Sequence, residues 1–416
     1  MQMDGGGFLG SGGYGCVFYP EISCKGKETK NINFLSKIVE KDYNSDNEII
    51  IGKVLKQKME KWIENPLDNH FAPVISHCDV KVGDFDFEEK EKCEMLTKEQ
   101  DDHYVLFKIK HISGNTFDDI IIQNSNNALI MLMFTSSYTH LLKSLQMLKH
   151  AKICHFDIKA ANIVYDDVKS LPIIIDFGLS IDIAALVESL ERWEAATAGD
   201  ASAIETEEEK NKKLNNSFYM YDTIYYIWPL EVHLINYILH QNDTLTKPAM
   251  RKMAKDYVKN NIVLRAFSPS FIKKYEEECY YELSKYIGKD SDAIIQRILK
   301  YWHTWDNYGL SLLYIKLLYY LIRNNDGALI KNKFITFFIE LCLKNIHPNP
   351  KKRLSVEETL KLFNLFLYNQ QIDKDTLFED IMQQINENKF SIDNAMKKDK
   401  KKMTLMSMKT KRNSSR

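Results

Sequence analysis

The run His155-Phe156-Asp157-Ile158-Lys159-Ala160-Ala161-Asn162 puts a carboxylate, an ammonium and an amide within one loop length, and Asp176-Phe177-Gly178 adds a second carboxylate soon after. An aspartate so placed can accept the proton of an attacking hydroxyl, while a lysine two positions on faces a transferred phosphoryl group. Asn162 and Asp176 offer oxygen ligands to a hard divalent cation, and Mg²⁺ favours such a pair when phosphate oxygens complete its shell. The competing reading is a polar turn with two chance carboxylates. His, Asp, Lys, Asn, Asp, Phe and Gly in one order around apolar runs count against chance.

The elements that must position these groups are legible nearby. Ile163 to Tyr165 and Ile173 to Ile175 are short apolar runs flanking the polar span Asp166 to Leu171, which predicts an antiparallel hairpin. Such a hairpin returns the chain to its start and sets Asn162 beside Asp176. Near the N-terminus, Gly10-Ser11-Gly12-Gly13-Tyr14-Gly15 is followed by Cys16-Val17-Phe18-Tyr19, which reads as a strand and not as a helix. Glycine clusters also make ordinary turns. With a strand on its far side, though, the loop becomes a hairpin tip, flanked by Leu9 and Val17, whose backbone can lie on a triphosphate.

Lys37 follows the apolar run Asn33-Phe34-Leu35-Ser36, and Glu48 opens the amphipathic stretch Glu48 to Trp62. Taken singly, they suit a solvated strand-edge charge and a carboxylate favoured by a helix dipole. Together they fit an ion pair that holds the lysine against nucleotide phosphates.

Around these residues the first hundred-odd positions alternate β-like runs (Cys16 to Tyr19, Phe34 to Val39, Pro73 to Cys78, Tyr104 to Ile109) with one amphipathic helix. From Asn127 the apolar period becomes helical, as in Leu141, Leu145 and Leu148 and again in Leu310, Leu313, Tyr314, Leu317, Leu318 and Leu321. The class is therefore α+β, a small sheet with one main helix followed by a larger helical part. Three segments break the pattern. Asp79 to Asp102 reads as an exposed connection, the acidic Glu188 to Glu209 as mobile, and Met396 to Arg416, with nine Lys or Arg against one Asp, as a disordered solvated tail. The alternative for the tail is a docking arm for nucleic acid or for an acidic surface.

The 416 residues exclude a single small module, and 44% hydrophobic content supplies a core. A net charge of −1 excludes a whole-molecule field for nucleic acid or anionic lipid. Seven scattered cysteines without C-x-x-C spacing argue against a disulfide framework or a zinc site, and so for a reducing compartment. With no signal-like start and no apolar run of about 18 residues, the expectation is a soluble intracellular chain without a membrane span.

The motif set resembles that of eukaryotic-type protein kinases over most of Phe8 to Phe366. The resemblance implies a two-lobed fold, with an N-lobe over 1–109 and a C-lobe over 110–368, then a helical extension over 369–395 and the tail over 396–416. It implies ATP and Mg²⁺ as cofactors, Lys37 and Glu48 as the ion pair of strand three and its helix, Asp157 as base, and Asn162 and Asp176 as metal ligands. Lys159 is similar to the Ser/Thr-directed class. Trp228-Pro229-Leu230-Glu231 resembles the end of an activation segment, with Leu230 in the usual proline slot. Asp306, in Trp305 to Leu310, resembles the start of the central helix, where its carboxylate can accept backbone N–H bonds from the catalytic loop. Asn349 to Arg353 resembles the motif whose arginine pairs with that glutamate. Ile109 takes the gatekeeper position and Lys110 to Ile112 the adenine-facing hinge. His155, Phe177 and Gly178 carry structural roles.

Phe156 stands where the family has an arginine that receives a phosphorylated residue of the activation segment, so control by activation-loop phosphorylation is not expected. Two inserts are larger than usual, 188–209 inside the activation segment and about 232–303 after it, the latter read as extra helices. Wording such as His155 to Val164 resembles serine/threonine kinases of large cytoplasmic DNA viruses, which implies host cytoplasm or the virion. The leading expectation is a serine/threonine protein kinase acting on protein hydroxyls. A pseudokinase scaffold and a small-molecule kinase of the same fold are its competitors.

Overall fold

Cys16 and Phe18 are core residues while Val17 and Tyr19 are half-buried, so the alternation Cys16 to Tyr19 is that of a strand with one covered face in the computed structural model of the chain. The structure describes residues 7–12, 15–25, 29, 31–60, 67–81, 83, 85, 91–97, 103–123, 130–198, 206–241, 244–322, 332–369, 378, 381–383, 385 and 391–401. The elements begin with β1 (Gly7–Gly12), β2 (Gly15–Tyr19), β3 (Phe34–Glu40), α1 (Tyr43–Met59), α2 (Leu67–His70), β4 (Phe71–Ala72), β5 (Val74–Lys81), β6 (His103–Lys110) and β7 (Gly114–Thr116). They continue with α3 (Phe117–Gln123), α4 (Ile130–Ala151), β8 (Ile153–Cys154), β9 (Ile163–Asp166), β10 (Leu171–Ile175), β11 (Ile181–Asp182), α5 (Ile183–Thr197) and α6 (Glu207–Ser217). The rest is helical: α7 (Leu230–His240), α8 (Lys247–Asn260), α9 (Pro269–Ser284), α10 (Ser291–Leu299), α11 (Trp305–Ile322), α12 (Lys333–Asn345) and α13 (Val356–Asn369). The class is α+β, with a small sheet region at the N-terminal end and a mostly helical remainder.

Two compact units divide the chain: Met1–Asn115 with Ile163–Ser180 and Asp399–Arg416, and Thr116–Asn162 with Ile181–Lys398. The division falls at 115/116 instead of 109/110. The 163–180 span, grouped with the larger part from sequence, belongs to the first unit because β10 pairs parallel with β4 there.

In the first unit an antiparallel sheet runs β1-β2-β3-β6-β5, and a second sheet runs β4-β10-β9-β7. The expected hairpin is present, β9 against β10 with Ile163 opposite Ile174. Helix α1 starts five residues before Glu48, capped by Asp42 with Ser45, so Glu48 lies in its second turn and does not open the helix. Gly52 lets α1 approach β5, since a Cβ there would stand 2.8 Å from the Val74 carbonyl oxygen.

Two expectations for this unit fail. Asp79 to Asp102 is no purely exposed connection: β5 runs on to Lys81, and Val80, Phe85, Cys93 and Leu96 are buried with Cys16, Phe18 and Tyr104 in one core cluster. Cys16 pairs with Cys93 and Cys24 with Cys78 as disulfides, each with its Cα atoms 6.0 Å apart. Scatter along the sequence says nothing of distance once β2, β5 and the segment around Cys93 share a core. The loops closed, 77 and 54 residues, are long enough that each bridge contributes about 4 kcal/mol in a chain-entropy account.

In the second unit the apolar stripe of α4 and that of α11 are buried, Leu141, Leu145 and Leu148 on one and Leu310, Tyr314, Leu317 and Leu321 on the other. Its cysteines, Cys154, Cys279 and Cys342, are buried and free. The acidic insert, expected to lack fixed structure, is helical where it is described: α5 and α6 are capped helices that bury Leu186, Leu190 and Leu214. Lys210 of α6, itself 2% exposed, lies 3.6 Å over the Trp193 ring and pairs with Asp292 of α10 at 3.0 Å. The high acid content hid that apolar face. The second insert holds α7 to α10. The described residues of 369–395 are helical, and so are 396–401, expected as part of a disordered tail; Ile392 and Met396 give this stretch a buried face. Residues 402–416 lie outside the described residues. Among the described residues no helix is long and apolar enough to cross a membrane.

Candidate functional site

Strand β3 and helix α1 supply the first pair. Lys37 sits where β3 pairs with both β2 and β6, opposite Val17 and Phe107, so its backbone is fixed from two sides. Its Nζ donates to Glu48 Oε2 at 2.9 Å and Oε1 at 3.1 Å, and to Asp176 Oδ1 at 2.9 Å. Burial alone would push the ammonium down, but Asp176 and Glu48 outweigh it and hold Lys37 above its ordinary value, firmly cationic. Burial pushes Glu48 up, the Lys37 charge pulls it back, and the result is about 7.

Asp176 follows the β9–β10 hairpin with φ of 65°, a left-handed backbone that a non-glycine residue holds only at a cost of about 1–3 kcal/mol. Such strain is typical of sites where a side chain must be aimed. Phe177 is fully buried with its ring 6.1 Å from Phe71, which anchors the turn. Gly178 has no steric need to be glycine, as its nearest neighbour to an added Cβ would be Glu48 Oε2 at 3.6 Å. Asn47, which no motif marks, ties α1 to this turn by donating to the carbonyls of Gly178 (3.1 Å) and Ser180 (2.8 Å). Only its position beside Glu48 hinted at a role.

The hairpin β1–β2 is in place with Gly12 opposite Gly15, while Gly13 and Tyr14 lie outside the described residues. Gly15 is required: at φ 148° an added Cβ would run into the Ile38 carbonyl oxygen. Gly10 has open space around it, and Leu9 is exposed. Ser11 pairs with Cys16 in the same hairpin. Ile109, the last residue but one of β6, lies in the core cluster that also holds Ile112. Lys110 pairs through its side chain with Asp68, and His111 N–H donates to the Asn33 carbonyl at 2.9 Å.

The second unit holds the other group. Asp157 is 2% exposed, and its Oδ2 accepts from Lys159 Nζ and from Asn162 Nδ2, each at 2.8 Å. Asn162 Nδ2 also donates to the Asp157 carbonyl at 3.0 Å, so its amide oxygen points away from Asp157. Below the loop, Asp306 at the start of α11 accepts from the backbone N–H of His155 at 2.7 Å and of Phe156 at 2.8 Å. Burial raises the Asp306 carboxyl, and those bonds with the His155 side chain offset part of it. His155 is fully buried, its Nδ1 accepting from the Asp157 N–H at 3.3 Å.

Phe156, with φ of 66°, stacks on Trp228 at 4.8 Å and packs near Trp305 and Phe218 at 5.8 and 5.9 Å. Trp228 Nε1 donates to the Phe156 carbonyl at 2.8 Å. An aromatic cluster thus holds the segment end to the loop. Glu231 forms a two-pronged pair with Arg353 at 2.6 and 2.8 Å and also accepts from Trp305 Nε1 at 3.1 Å.

Among the described residues no group of three or more His, Cys, Asp or Glu could by itself hold a metal ion. Asp176 brings a carboxylate to the first unit and Asn162 an amide oxygen to the second, and oxygen donors of this kind are what a hard divalent cation takes. No family model matches the chain, and no curated protein matches it either.

Proposed function

We propose that the chain is a serine/threonine protein kinase that moves the γ-phosphoryl group of ATP to protein hydroxyls. One observation carries the reading: Lys37 is gripped at once by Glu48 and Asp176, 11 and 139 positions away, and these are the residues the motif set assigns to phosphate and metal handling. In this reading Lys37 neutralises phosphate oxygens, and Glu48 keeps its ammonium aimed. Asp157 takes the proton of the incoming hydroxyl, and Lys159 meets charge developing on the transferred group. Mg²⁺, when bound, neutralises the phosphates, and Asn162 and Asp176 are the residues that would hold it. Catalysis is then mainly positioning and charge balance.

Phe156 cannot receive a phosphate, and the Phe156–Trp228–Trp305 cluster provides apolar anchoring in its place. Control by docking a phosphorylated residue there is therefore absent from the proposal. The compartment proposed is host cytoplasm or the virion. The two disulfides add the demand that the chain meet an oxidant.

Incubating the purified chain with labelled ATP, Mg²⁺ and a generic basic protein tests the reading. Label should enter Ser or Thr, stop with a chelator, and fall about 10²- to 10⁴-fold in Asp157→Asn. Nucleotide binding without transfer to any protein, or transfer only to sugars or aminoglycosides, would sink it.

A further inference from the structure

The loop's own groups engage only one of the two carboxylate oxygens of Asp157. Lys159 and Asn162 both bond Oδ2. Oδ1 accepts the phenolic O–H of Tyr225, from the segment just before Trp228. Lys159 Nζ stands 3.5 Å from the same phenolic oxygen. A hydroxyl that gives its hydrogen bond to the base, with an ammonium beside it, has the two neighbours that an acceptor of a phosphoryl group needs.

Nor is the ring loosely placed. The Tyr225 N–H donates to the Asp222 carbonyl at 3.2 Å, and the Tyr225 carbonyl accepts from the Trp228 N–H at 3.2 Å. Its ring lies 4.5 Å from that of Trp228, and Thr223 is tied to Asn260 at 2.9 Å. The phenol is therefore held on Asp157 by the fold of the segment.

Resting on the kinase reading, we propose that Tyr225 is the chain's own acceptor, phosphorylated on tyrosine within the same molecule. The Tyr225 O–H bond breaks and its proton passes to Asp157 Oδ1. The phenolic oxygen forms a bond to the γ-phosphorus of ATP, the bond from that phosphorus to the β,γ-bridging oxygen breaks, and its electron pair leaves with ADP. A phenol, with a pKa near 10, gives up its proton far more readily than an aliphatic hydroxyl. Tethering supplies effective concentrations of about 10⁵ M or more for well-aligned groups, which offsets a site otherwise suited to Ser and Thr. The product places a phosphate beside Asp157, a like-charge contact, and Phe156 offers no cation to retain it.

Phosphatase-treated full-length chain, incubated with Mg²⁺ and ATP over a hundredfold range of protein concentration and mapped by mass spectrometry, decides the matter. Expected is phosphate on Tyr225 with a first-order rate constant that does not change on dilution. Asp157→Asn should lose it by at least about 10²-fold, with no rescue of the variant's Tyr225 by added wild-type chain. Transfer to a basic protein with Tyr225 unmodified overturns the proposal and leaves the kinase reading standing. Modification that scales with concentration, or rescue in trans, also overturns it. Absence of transfer to any acceptor overturns both.

Discussion

Two buried ion networks, one in each unit, differ in closure. In the first unit one ammonium serves two carboxylates, with the Asp176 side chain 24% exposed against 11% for Lys37. In the second, one guanidinium serves one carboxylate, and both side chains are nearly sealed, at 1% and 4%. Arg353 also donates from Nε to the His347 carbonyl at 2.8 Å, and Glu231 takes the Trp305 indole, so few polar atoms are left over. A balanced, sealed pair holds helices together. A part-open one, with a carboxyl that burial lifts to about 7, has the perturbed and accessible groups that functional sites favour.

Removing the cation from each network in turn tests this contrast. Arg353→Met leaves Glu231 buried without its partner and should cost about 3–5 kcal/mol in urea unfolding, whereas adding Glu231→Leu should recover much of it. A single variant as stable as wild type would remove the structural assignment. Lys37→Met should lower phosphoryl transfer about 10²- to 10³-fold, yet unfold at higher urea than Arg353→Met. The reason is that Glu48, already raised to about 7, can take a proton once Lys37 is gone. Equal loss of stability in both variants would erase the distinction.

Asn47→Ala leaves the carbonyls of Gly178 and Ser180 without their amide donor and should cost about 1–3 kcal/mol, with a fall in transfer as the Asp176 turn loosens. Unchanged kinetics would make Asn47 a fold residue alone. Across the window from about 4.5 to 7, Glu48 binds more proton in the folded state than unfolded, so its share of stability is greatest below 4.5 and declines as pH rises through 7. Transfer should move the opposite way, falling about tenfold per pH unit below 7 as Glu48 protonates and relaxes its hold on Lys37. Rate and unfolding profiles measured at the same pH values check the opposed signs, and Glu48→Gln should flatten the unfolding slope. The smallest effect belongs to the exposed Arg192–Glu188 pair of α5: Arg192→Ala should change stability by no more than about 0.5 kcal/mol. A larger loss would mean that α5 depends on surface charge more than on Leu186 and Leu190.

The chain's periodicities determined the strand and helix types: β2, β3, β5, β6 and the β9–β10 hairpin fall where alternation and turn residues put them, and α4 and α11 where apolar stripes run. Motif order named Lys37, Glu48, Asp157, Asn162 and Asp176, and the structure joins Lys37 to Glu48 and Asp176 in one unit and Asp157 to Asn162 in the other. Contact between distant segments was decided only in three dimensions. The disulfides joining Cys16 to Cys93 and Cys24 to Cys78, the seat of Tyr225 on Asp157, the Asn47 tether and the burial of Lys210 against Trp193 each link segments whose separation carries no period. A single sequence records what each residue prefers beside its neighbours, while which far residue fills a given space is set by the packing of the whole unit.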